Sequence, residues 1–441
     1  MHPPAVRCRL ARPEATDLAL WIALAAAGLA VTAMAMHWGA RLGTASAPFV
    51  GRYRLKLDAG SLLAPAVAAA LLLATIWGLP DRMRWRGLLL AAYFGSLAWA
   101  LSLAAVDGGN GLAGPVSNAG EYLSDVAAVD DRPGDFIAGF VAASGEHATA
   151  TRQHPPGPVL LLWALQRLGL HRPLGIGLFL TLVGCLTVPL VLVAVRSMCG
   201  EIAARRLAPV LVLAPYAVWV AVSMDAVTST LGAAMVTAGV LASERHRRGP
   251  PAIAWALTSG LLLGSAALFS YAAPWLGLSV ICVYFVRRRA LLNVVTGAAA
   301  LVPLVLAQAA GFVWTDGLTA AQADFSIRVE PMRSAVVWGC LSLVVLVLAC
   351  GPAVVASARK IRRTPGWPFL VGAVVAVGFA VAAGLARGEM EHAWVPYFPW
   401  LLVAAVAPES RGGEPGPAPV WLAGVGAIGA IALEAMLHTA W

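Results

Sequence analysis

The stretch Val106–Leu170, VDGGNGLAGPVSNAGEYLSDVAAVDDRPGDFIAGFVAASGEHATATRQHPPGPVLLLWALQRLGL, sets a polar connection ahead of a short apolar run. It holds Asp107, Glu121, Asp125, Asp130, Asp131, Asp135 and Glu146, in a chain only 12% charged. His154-Pro155-Pro156-Gly157 then opens the run Pro155–Leu170, whose far end carries Gln166, Arg167, His171 and Arg172. The prolines remove backbone donors where lipid offers no substitute, so the run suits a helix that lies along the interface or re-enters on the outer face, with a short tilted span as the alternative. That reading fixes the sidedness of all that follows.

Outward from this point, apolar runs near bilayer length alternate with Arg-rich turns, which mark the cytoplasmic side. Leu18–His37, Ser61–Gly78 and Gly87–Val106 precede the loop, with Asp81-Arg82-Met83-Arg84-Trp85-Arg86 as an inner turn. Pro173–Val195, Leu207–Val222 and Ala226–Ala242 follow it. Arg205-Arg206 and Glu244-Arg245-His246-Arg247-Arg248 belong inside, so Ser223-Met224-Asp225 lies outside and Pro155–Leu170 has no crossing left to make. Ala252–Leu268, Ala273–Val286, Leu291–Trp314, Ala335–Val355, Trp367–Leu385, Trp394–Ala407 and Val420–Leu437 complete a set of about thirteen spans. Arg287-Arg288-Arg289, Arg359-Lys360-Ile361-Arg362-Arg363 and the Pro/Gly-rich Glu409–Ala418 are further inner turns. Arg7, Arg9 and Arg12 place the N-terminus in the cytoplasm, ahead of a first helix too long for a cleavable signal. Arg52, Arg54 and Lys56 break the rule by falling outside; they suit a phosphate-bearing ligand or a misplaced first hairpin.

The expected fold is therefore an all-α polytopic membrane protein with an in-plane juxtamembrane helix. Residues 1–86 form a tail and a hairpin, 87–408 a membrane core with outer loops 107–172 and 315–333, and 409–441 a turn and last helix. Composition agrees: 60% hydrophobic residues, a mean hydropathy of +0.78 and 16 tryptophans suit a bilayer. The net charge of +9 follows from arginines on inner turns and requires no nucleic-acid partner. High Ala, Gly, Pro and Arg usage hints at a bacterial source and hence at the cell membrane. The six cysteines form no CxxC pair and sit mostly in apolar runs, so no structural disulfide is expected. Phosphate-loop, nucleophile-elbow and HExxH patterns are absent from the sequence.

Ionisable side chains at the edge of the hydrocarbon are costly unless paired or functional. Asp225 is the clearest, either facing a site or capping the helix that begins beside it. Glu121-Tyr122 and Asp125 form E-Y-x-x-D, which on a helix puts both carboxylates on one face. Such a pair binds a divalent ion, accepts a proton from a hydroxyl, or is simply solvated. His154, made extended by Pro155, suits a metal, a phosphate or a cap. Arg328 and Arg333 in the second loop, and Arg387 before Glu389-Met390-Glu391-His392, offer cations for a phosphate or for salt bridges.

These features together resemble the GT-C superfamily of integral membrane glycosyltransferases, near the dolichyl-phosphate-mannose mannosyltransferase and aminoarabinose transferase branches. The likeness rests on the acidic first outer loop with Glu121-Tyr122 and Asp125, on the His154-Pro155-Pro156-Gly157 start, and on Asp225 outside. Gly388–Trp400 is similar to a segment of uncharacterised actinobacterial members. The resemblance implies a GT-C-like bundle and inverting transfer from a polyprenyl-phosphate sugar to a cell-envelope acceptor on the outer face. It makes Glu121, Asp125 and Asp225 the candidate catalytic residues, and His154, Arg328, Arg333 and Arg387 the candidate phosphate ligands. Asp107, Tyr122, Tyr271, Glu389, Glu391 and His392 are supporting candidates, and membrane lipid is a partner. A divalent cation (Mg or Mn) on Asp225 and Glu121 is a candidate cofactor. A transporter or flippase, or a non-catalytic scaffold, are the competing readings.

Overall fold

The structure, a computed structural model, describes residues 12–56, 59–407 and 419–438. Arg7, Arg9 and the Glu409–Ala418 turn lie outside the described residues. The regular structure of the described residues is helical, apart from a two-residue antiparallel pairing of Arg52–Tyr53 with Leu437–His438. Five helices are long and apolar enough to cross a membrane: Pro13–His37, Trp85–Asp107, Pro173–Cys199, Met224–Ala242 and Leu292–Ala309. Gly60–Ile76, Ala273–Val286, Trp367–Ala382 and Val420–Met436 are shorter apolar helices. The all-α, polytopic expectation holds.

Three expected spans take another form. Leu207–Val222 is a helix that ends at Val212, followed by a 3-10 turn over Pro215–Trp219. Pro215, without an N–H, cannot continue the helix. Trp394–Ala407 is a string of short turns interrupted at Pro396, with Trp394, Tyr397, Phe398 and Trp400 all buried. Irregular backbone is tolerated at that depth because protein, not lipid, surrounds it. Ala335–Val355 bends by 97° at Gly351, so Pro352–Arg363 leaves the direction of the span before it. The second outer loop, 315–333, is mostly helix, Trp314–Arg328.

Gly157–Arg167 forms the helix after His154. Its eleven residues rise about 16 Å, roughly half the hydrocarbon thickness, so it cannot cross. Gly157 is required where it stands: its N–H donates to the Leu268 carbonyl at 3.0 Å, and a Cβ there would meet that oxygen at 2.3 Å. Close backbone approach also joins Pro250–Ala267 to Leu292–Ala309. A Cβ on Gly260 or Gly264, four apart on one face, would sit 2.2 Å from the Thr296 or Ala300 carbonyl.

The bundle has two chemically distinct ends. At one, Arg205 donates to the Pro80 and Met83 carbonyls, Arg287 to Ser197 and Val240, Arg289 to Arg247, and Arg359 pairs with Asp17. This basic end gathers the turns expected inside. At the other, Ser334 N–H donates to Arg41, Val50 N–H to Glu391, and Arg54 N–H to Met436. Lys56 bridges Asp107 at 2.7 Å and Glu434 at 3.3 Å. Lys56 is thus a tie between the first loop, the Val106–Leu170 connection and the last helix. Lys56→Met leaves the buried Glu434 without its cation and is expected to cost about 3 kcal/mol in thermal unfolding. Adding Glu434→Gln to Lys56→Met should recover part of the loss.

Candidate active site

At the end opposite the basic turns, a cavity of about 230 Å³ opens among Glu121, Tyr122, His154, Trp219, Asp225, Glu389 and His392. Each side chain is delivered by a local device. Ser223 caps the Met224–Ala242 helix by accepting the Asp225 N–H at 3.1 Å. The cap is Ser223, so the Asp225 carboxylate is released toward the cavity. Its Oδ2 meets His392 Nδ1 at 2.8 Å. Val222, just before the cap, lies at φ +64 with its N–H donated to Thr181 Oγ1 at 3.0 Å. A β-branched residue rarely adopts that conformation; here it turns the chain sharply into the site.

Glu389 and His392 come from the turn after Trp367–Ala382. Glu389 also has a positive φ, +64, and begins the short helix Met390–Ala393. Arg333 pins the turn, donating to the Arg387 carbonyl at 2.8 Å and lying 3.3 Å from Glu389. Glu391 points the other way: fully buried, it accepts the Val50 N–H at 3.2 Å. The first hairpin thus holds the turn that presents His392. Phe49, stacked on Trp219 at 5.8 Å, adds a second contact from the same loop.

On the facing side, the E-Y-x-x-D set is not one helical face. Glu121 is extended (φ −96, ψ 165) and Tyr122–Asp125 is a 3-10 turn, so the two carboxylates diverge. Glu121 faces the cavity. Asp125 instead accepts the Ala148 N–H at 2.9 Å and sits 3.9 Å from His147, closing the loop on itself. Asp125→Ala should cost about 1–3 kcal/mol of stability, read by thermal unfolding, and leave turnover largely intact. His154 is extended (φ −129, ψ 159), as its proline demands. Its Nδ1 lies 2.9 Å from the Ala150 carbonyl, which can only accept, so Nδ1 carries the proton and Nε2 is presented. Tyr122 packs edge-on against that ring at 5.7 Å.

The electrostatics separate acid from base. Burial pushes the Glu121 carboxyl up to about 7; Asp225 and Glu389 add to the rise while His392 opposes it. Burial alone would lower His392, but the Asp225 hydrogen bond and charge, with Glu391 and Glu389, raise it to about 9. At neutral pH the site holds a half-ionised carboxyl facing an imidazolium. Pairs of groups pushed apart in this way mark acid–base sites.

The three candidate phosphate arginines do not line the cavity. Arg328 is exposed and paired with Asp324 at 2.7 Å, which also meets Arg152 at 3.1 Å. Arg387 pairs with Glu330 at 2.8 Å and accepts no role nearer the cavity. Arg333 touches it only through Glu389. Neighbouring carboxylates and carbonyls claimed each guanidinium. Asp107 is held by Lys56, and Tyr271 packs on Trp314, both away from the cavity. Among the described residues, no three His, Cys, Asp or Glu side chains are arranged to hold a metal. Asp225 spends one carboxylate oxygen on His392, and no step below runs through a divalent cation.

The Asp225–His392 pair was not legible in the sequence, because 167 residues separate its members. The only signal was that both fell on the expected outer face. No family model matches the chain, and no curated protein matches it. Among solved structures, it is similar to the crystal structure of ArnT from Cupriavidus metallidurans in the apo state. The TM-score is 0.47 and the identity 17%, over 65% of this chain and 54% of that one. This chain therefore spans about half the length of that structure.

Proposed function

We propose that the cavity is the active site of a GT-C-type glycosyltransferase that takes a sugar from a polyprenyl-phosphate donor. The observation that carries this reading is Glu121: a carboxyl lifted to about 7, lining one cavity with the Asp225–His392 pair. A general base for a hydroxyl works best with its pKa near ambient pH. The cavity also lies at an end of an apolar bundle, where a lipid-borne phosphate would meet water.

In the proposed step, ionised Glu121 takes the proton of an acceptor hydroxyl. The oxygen attacks the anomeric carbon from the face opposite the phosphate, and the carbon–oxygen bond to the phosphate breaks. The bond's electron pair leaves with the polyprenyl phosphate, and the configuration inverts. The imidazolium of His392, charged because Asp225 stands beside it, offsets the growing negative charge. His154, its proton held on Nδ1, presents an Nε2 lone pair that can accept from a sugar or acceptor hydroxyl, not donate to the phosphate oxygens. Asp225 keeps the imidazolium charged and oriented; Glu389 holds the turn through Arg333. By the arginine rule the basic end is cytoplasmic, so the cavity opens on the outer face of a bacterial cell membrane, where an envelope acceptor waits.

The test is transfer of label from radiolabelled polyprenyl-phosphate sugars to a panel of envelope acceptors, in membranes carrying the chain. Labelled product is expected with the wild type and is lost with Glu121→Gln. Equal transfer by both would remove Glu121 from the chemistry.

A further inference from the structure

A second cleft, of about 910 Å³, lies at the basic end, across the bundle from the active-site cavity. Four helix ends frame it: Ser197 and Met198, Glu244–His246, Val286–Arg288, and Pro365 with Trp367. Its charges do not balance. Arg245, His246, Arg287 and Arg288 line it, against a single carboxylate, Glu244. Both oxygens of Glu244 are engaged, Oε1 by the Ser197 hydroxyl at 2.8 Å and Oε2 by Arg247 at 2.9 Å. Oε2 is also 3.4 Å from His246.

Arg287 is fixed by neutral acceptors alone. It donates to the Ser197 carbonyl at 2.7 Å and hydroxyl at 3.0 Å, and to the Val240 carbonyl at 3.1 Å. Its charge is thereby positioned without an ion pair among the described residues. Burial holds its pKa below the usual guanidinium value; Glu244 opposes that fall and Arg245 adds to it. Arg245 and Arg288 are exposed, and their side chains have no hydrogen bond or ion pair among the described residues. Arg288 sits at φ +56, the left-handed residue that closes Gly277–Val286. Trp367, 42% exposed, stands on the rim, where an indole suits a headgroup region.

Converging cations with no carboxylate to spare describe a site for an anion, and basic pockets between helix ends suit lipid phosphates. We propose that this cleft binds the phosphate of an anionic membrane lipid, with Arg287 at its floor and Arg245 and Arg288 closing on the phosphate oxygens. The site is independent of the transfer chemistry at the other end.

The test uses the full chain in nanodiscs of phosphatidylcholine with rising phosphatidylglycerol, read as the thermal unfolding midpoint. The wild type should gain stability with phosphatidylglycerol. The double variant Arg245→Gln/Arg288→Gln should need about tenfold more of it for the same gain, from the loss of charge-assisted contacts. Arg362→Gln/Arg363→Gln removes equal charge from the same end outside the cleft and should behave as wild type. If both double variants lose the response equally, or neither does, the proposal fails. A parallel titration with inorganic phosphate in pure phosphatidylcholine separates the sources. Stabilisation there, abolished by Arg245→Gln/Arg288→Gln, would overturn the lipid assignment in favour of a soluble anion.

Discussion

Glu121→Gln is expected to lower transfer by about 10²–10⁴, the range a positioned general base contributes, while the protein inserts normally. The substitution keeps the shape of the side chain and removes its capacity to take a proton. It should also stabilise the fold at alkaline pH. Glu121 is raised in the folded state from 4.5 to about 7, so the folded protein binds the extra proton between those values. Stability therefore falls as pH climbs through that window, and glutamine abolishes this fall. A variant that is inactive yet no less stable at pH above 7 separates chemistry from folding. A variant that loses stability and activity together would point to a structural glutamate.

The second large effect is in the pH profile of Asp225→Asn. In the wild type, activity should rise through about 7 as Glu121 ionises and fall through about 9 as His392 loses its proton. Asp225 raises both groups, so removing its charge moves both limbs to lower pH. The descending limb should move furthest, toward the ordinary imidazole value of 6.5, because the lost hydrogen bond and charge are its main supports. At pH 8 most of the activity is expected to disappear, with partial recovery near pH 6. Stability follows with its own sign. His392 is raised, so its pairing stabilises fully below pH 6.5 and is lost as pH passes about 9. Asp225→Asn should therefore lower the unfolding midpoint most at acid and neutral pH. A profile unchanged in shape would detach His392 from the reaction.

The sequence carried the architecture further than the site. Which turns share an end was legible because arginine turns are local signals, and contacts such as Arg205 with Pro80 and Lys56 with Asp107 sort the turns into the same two groups. The helix after His154 was legible from its length and its prolines. The broken segment Trp394–Ala407 was not, since an apolar run buried on all sides looks like a span whatever its backbone does. Within the site, Glu121, Asp225 and His154 were visible as polar groups where hydrophobicity pauses. What they do was hidden, because it depends on partners far along the chain. The capping role left open for Asp225 belongs to Ser223, two residues earlier, and that substitution frees the carboxylate for His392. The arginines failed for the converse reason: Asp324, Glu330 and Glu389 lie nearby in the fold and take them up.

The account stands on a bond being broken in the cavity, where a transporter would move its cargo whole. The direct measurement is the fate of a doubly labelled polyprenyl-phosphate sugar in sealed vesicles holding the wild-type chain and an envelope extract on the cavity side. The account predicts that sugar label leaves the lipid for an acceptor, releasing polyprenyl phosphate in equal amount, and that Glu121→Gln stops both. Intact donor appearing in the opposite leaflet, with the two labels still joined and Glu121→Gln without effect, would contradict it.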